Sequence, residues 1–171
     1  MNPTQKQPDT RAALADLTPA DTLRCAARYL EIRGWTQSLY FDRTDEVWFP
    51  PACVSGAIGM AIFGSCMPVL LNEQMNPDVR DYLRAVDVLV DFLDLHDPPP
   101  WHTDEDYTSP FTWNDRPGRT AEQVVAILRA AADDYDWTHA TEDQLETYAE
   151  HEYDIERLPT REGFIAWLGA R

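Results

Sequence analysis

The chain has 171 residues, of which 44% are apolar and 26% charged, and it carries a formal net charge of −16. That size and apolar content support one domain with its own core, without metals or disulfides to hold it together. The charge argues against direct nucleic-acid binding and against anionic membranes, and no apolar run approaches the roughly 20 residues of a spanning helix.

Residues 1–17 read as a flexible polar leader with no signal-like apolar segment, so a cytoplasmic protein is expected. The cysteines, Cys25, Cys53 and Cys66, show no C-x-x-C spacing and suit a reducing compartment. Thr18-Pro19-Ala20-Asp21 is a helix start: a capping hydroxyl, a proline at the first helical position and an acid at the positive end of the dipole. Leu23, Ala26, Ala27 and Leu30 give the helical period and Gly34 the stop, which predicts a helix over 19–33. Two short aromatic clusters between Trp35 and Pro51, divided by the polar 42–46, admit a small β-hairpin.

From 51 to 64 the chain is apolar on every face and rich in small residues, which predicts a buried central helix. Gly56 and Gly59 each weaken a helix by about 1 kcal/mol relative to Ala, so close approach of another backbone is the expected reason for them. Asn76-Pro77 opens a third helix striped by Val79, Tyr82, Leu83, Val86, Val90 and Leu93, and Asp97-Pro98-Pro99-Pro100 ends it. Residues 97–119 read as one long ordered loop rich in aromatics. Capping patterns at Thr120 and Thr141 precede two further helices, the first ending near Asp134, and Thr160 caps a short last one. The fold class is therefore mainly α: a compact bundle of five or six helices, with a helical domain over 18–135 and an acidic helical C-terminal extension over 136–171.

Arg33-Gly34-Trp35, the run Cys53-Val54-Ser55-Gly56-Ala57-Ile58, and Trp113-Asn114-Asp115 ahead of Pro117-Gly118-Arg119-Thr120 resemble an uncharacterised family of small proteins from high-GC bacteria and their phages. The resemblance covers about residues 18–135. It implies a compact helical domain and carries over no catalytic residue, since that family has no assigned activity.

Cys53 stands at the start of the central helix, where the dipole favours a thiolate, and with His102 and Asn114 it supplies a nucleophile, a base and an orienting amide in the chain order of a thiol hydrolase. The competing reading is a structural thiol packed in an apolar helix. His96, His102, Asp104 and Asp106 could offer metal ligands, but no pair has a metal spacing, so no metal and no cofactor is expected. Trp113, Asn114 and Asp115 are expected to lock the long loop onto the domain, the indole buried and the two polar side chains bonded to backbone in a turn.

The charge is unevenly placed: residues 1–72 carry net −1 and residues 73–171 net −15. Within 133–156 there are ten acids and no Lys or Arg. Asp133, Asp134, Asp136, Glu142, Glu146, Glu150 and Asp154 are thus expected to form an acidic surface for a basic protein partner, one form of which is charge mimicry of nucleic acid. The plain alternative is a solvated surface that serves solubility alone.

Overall fold

The computed structural model describes residues 17–42, 47–66, 77–97 and 109–170. Among these are seven helices: α1 Pro19–Arg33, α2 Val54–Phe63, α3 Pro77–His96, α4 Pro110–Asn114, α5 Ala121–Thr138, α6 Glu142–Asp154 and α7 Arg161–Leu168. The expected five or six become seven because the loop expected over 97–119 contains α4, a single turn opened by Pro110. Pro110 and Phe111 start this turn, yet it is too short to show a helical period in sequence.

The starts obey local chemistry. Thr18 accepts from the Asp21 N–H at 3.1 Å while the Asp21 carboxylate accepts from the Thr18 N–H at 3.0 Å, and Thr120 with Gln123 and Thr141 with Gln144 repeat the arrangement. Each box satisfies donors that the first helical turn leaves free. Gly34 ends α1 at φ +98°, returning its N–H to the Leu30 carbonyl.

Helix α1 forms its broadest interface with α5 and also packs on α2 and α3. Leu23, Ala26, Ala27 and Leu30 are buried there, and each fully buried leucine contributes about 1.5–3 kcal/mol. Helix α2 is covered from Val54 to Met60, as its uniformly apolar sequence requires. At Gly56 the close neighbour is the carbonyl oxygen of Tyr40, which a Cβ would overlap.

No strand is present among the described residues, and the hairpin is replaced by a different pairing. Ala52 bridges Trp35 in the parallel sense and Phe41 in the antiparallel sense. The segment that leads into α2 is therefore clasped between both ends of the 35–42 loop. The two aromatic clusters do not face each other: Phe41 is buried, whereas Trp48 is 90% exposed.

Helix α5 runs to Thr138, past the expected end at Asp134 and across the boundary expected at 135. Beyond it, α7 packs on α5, and α6 packs on α7. Tyr148, Phe164 and Trp167 form a small aromatic nest with Trp137 of α5, ring centroids 5.7–6.0 Å apart. Aromatic burial thus holds the C-terminal helices to the bundle.

Candidate functional site

Cys53 is the N-cap of α2, its sulfur accepting from the Gly56 N–H at 3.4 Å, and the residue is 1% exposed. Burial pushes the thiol pKa up, and this outweighs the Gly56 and Ser55 N–H groups that favour the thiolate. The helix terminus acts as the sequence suggests, but desolvation wins. A covered thiol held in its protonated form serves here as a cap.

Asn114 lies beside it, fully buried. Its amide oxygen accepts from the Trp35 indole at 2.7 Å and from the Val54 N–H at 3.1 Å. Its amide nitrogen donates to the Thr36 carbonyl at 3.2 Å and to the Asp115 carboxylate at 2.7 Å. Both lone pairs and both protons are used, so one side chain ties α4 to the start of α2 and to the loop after α1. Asp115 also accepts from the N–H of Ser38, whose φ of +67° is an uncommon conformation for a residue with a Cβ. The third member of the hydrolase set, His102, lies outside the described residues, as do Asp104 and Asp106.

Trp113 is buried, and its indole donates to Asp97 at 2.8 Å. Arg119 lies over the Trp113 ring at 4.0 Å, and Arg116 and Arg119 each reach the Asp97 carboxylate at 3.0 Å. Partial burial acts to raise the Asp97 pKa, but the indole and the two guanidinium groups hold it below the usual aspartate value. Asp97 and Arg116 were not distinguishable in the sequence as partners, because a helix-ending acid before prolines and an arginine in a turn are both ordinary there.

The ten acids of 133–156 divide sharply. Arg24 of α1 pairs with Asp133 and Asp136 at 2.6 Å each, Arg161 pairs with Asp134 at 2.8 Å, and buried Glu152 takes Arg157 in a two-pronged bond. The other six, including Glu142, Glu146, Glu150 and Asp154, are exposed and form no ion pair with the described residues. Three of the seven acids expected on the surface patch, all on α5, are thus turned into internal partners of arginines. No group of three or more metal-ligating side chains occurs among the described residues, and no described helix is long and apolar enough to cross a membrane.

The tied segments, α1 through most of α5, coincide with a match over residues 14–134 to a family model described as "Family of unknown function (DUF6197)". The chain belongs to the DUF6197 family. The three sequence motifs all fall inside that span, and in this DUF6197 member all three meet physically, through the Asn114 bonds to Trp35 and Val54. Helices α6 and α7 lie beyond it. No curated protein and no solved structure matches the chain.

Proposed function

We propose that the protein is a non-enzymatic interaction protein that presents the outer face of α6 to a basic protein partner and regulates that partner by covering its cationic surface. The single observation that supports this reading is the row Glu142, Glu146, Glu150 and Asp154, exposed and without an ion pair among the described residues, while every acid of α5 in the same run is paired with arginine. Carboxylates at successive i+4 positions stand about 6 Å apart and repel, each pair costing a few tenths of a kcal/mol. A partner carrying Lys or Arg offsets that repulsion. Tyr153 and Leu158, 82% and 87% exposed at the end of the same helix and just after it, add apolar surface beside the charge. The three free thiols fit a reducing, cytoplasmic setting.

The test is titration of the whole protein with a short Lys/Arg-rich helical peptide. Affinity should fall by about tenfold or more between about 50 and about 500 mM salt, and should vanish when Glu142, Glu146 and Glu150 become Gln and Asp154 becomes Asn. Binding that ignores both salt and these four changes would refute the reading.

A further inference from the structure

A cavity of about 370 Å³ opens where α1, α5, α6 and the end of α7 meet. Its wall carries Asp21, Arg24, Tyr135, Asp136, His139 and Gln144. We infer that this cavity is a binding site for an alkylguanidinium or alkylammonium group, seated between the Asp21 and Asp136 carboxylates and the stacked Tyr135 and His139 rings.

The charge balance points to a cation. Arg24 is the one guanidinium on the wall, and it already serves both Asp133 and Asp136 at 2.6 Å. Asp21 stands on the same wall with no arginine bonded to it among the described residues, its oxygen engaged by the Thr18 N–H and hydroxyl. The wall thus carries two carboxylates, Asp21 and Asp136, and one guanidinium whose bonds are shared with Asp133 outside it. At Asp136 burial is the main cause that raises the pKa; Arg24 acts against it, and the nearby Asp21 and Asp133 carboxylates add a smaller upward push. An incoming cation relieves this crowding, whereas an anion adds to it.

The aromatic wall suits the same chemistry. Tyr135 and His139 stack with centroids 3.9 Å apart and planes 16° from parallel. His139 Nδ1 lies 3.0 Å from the Tyr135 carbonyl, an acceptor, so this nitrogen points its proton at the backbone and the contact holds the ring against Tyr135. A flat guanidinium or a compact ammonium packs against such rings and bonds to carboxylates, and Leu168 supplies apolar contact for its alkyl stem. The shared group can come from a free small amine or from an arginine or lysine side chain of a protein. Neither source requires the α6 face to bind anything, so the site stands independently of the proposed function.

Calorimetry and protein-observed NMR on the whole chain, with agmatine, an arginine-containing hexapeptide and glutarate as probes, decide the matter. Agmatine or the peptide should bind and shift resonances of Tyr135 and His139, while glutarate should not. Asp136→Asn, with its melting curve checked, should weaken binding about tenfold, and the exposed His139→Ala about threefold. Agmatine binding identifies a free cation as the ligand; binding of the peptide alone assigns a partner's side chain. No binding of either up to on the order of 10 mM, equal binding of glutarate, or binding unchanged in both variants would overturn the site. Gln and Asn replacement of the four α6 acids should leave agmatine binding intact, which separates this result from failure of the α6 face.

Discussion

The corner at residues 109–119 and helix α6 are both dense in polar groups, and they use them in opposite ways. At the corner every polar atom of Asn114 is spent on a neighbour, and the Asp97 carboxylate is divided among an indole and two arginines. On α6 the carboxylates of the row Glu142, Glu146, Glu150 and Asp154 face solvent and repel one another. The difference is one of partners rather than composition. Buried polar groups must find bonds within the fold, and exposed ones need not. Stability is therefore concentrated at the corner, whereas the α6 carboxylates stay in water, which is what the proposed binding role relies on.

Four variants and one labelling experiment can break or sharpen that contrast. The largest effect is expected for Asn114→Ala, which strands the Trp35 indole, the Val54 N–H and the Thr36 carbonyl at once. Urea denaturation should show a loss of about 3 kcal/mol or more. A loss under about 1 kcal/mol would mean that water replaces the amide and the corner is no lock.

Asp97→Asn comes next, with a loss of about 1–2 kcal/mol near neutral pH after allowance for solvent screening. Because the folded pKa lies below the unfolded value, the carboxylate's contribution is complete above the usual aspartate range. It is lost as the pH falls below about 4 through the folded value. Wild type and variant should accordingly converge in stability in acid; a gap that widened there would contradict the assignment.

Arg24→Ala leaves Asp133 and Asp136 beside Asp21 without their cation, and should lower stability by about 1 kcal/mol. Added salt should shrink that deficit by screening the carboxylates. Replacing Glu142, Glu146 and Glu150 by Gln and Asp154 by Asn belongs at the small end: it should leave the melting temperature unchanged or raise the stability by about 0.5 kcal/mol, since the repulsion along the row is removed and only the favourable place of Glu142 at the helix start is lost. A marked destabilisation would show that the α6 acids are structural after all. Without any substitution, a thiol reagent should modify exposed Cys25 well before buried Cys53, and the reverse order would restore Cys53 as a nucleophile.

The helix starts were legible because capping is local: Thr18, Thr120, Thr141 and Thr160 each bond to an N–H three residues on. The extent of α1 was legible for the same reason, with Pro19 and Gly34 at its ends. The hairpin was misread because aromatic content does not say which residues pair, and the actual partner of Phe41 is the small, unremarked Ala52. The turn of α4 was missed because five residues hold no period. Asn114 stood out in the sequence as a turn residue, yet its bonds reach back by 60 to 79 positions, which no local rule could supply.

The acidic run illustrates the division most directly. By itself the sequence determined that ten carboxylates lie between 133 and 156 without a Lys or Arg among them, and that the segment would be helical with caps at known places. The fate of the three α5 charges was decided by tertiary structure. Arg24 comes from the first helix and Arg161 from the last, and their approach to α5 follows from which faces pack together, a property of the whole bundle. Periodicity is written in neighbouring residues; pairing across more than a hundred positions depends on where the core brings two surfaces into contact.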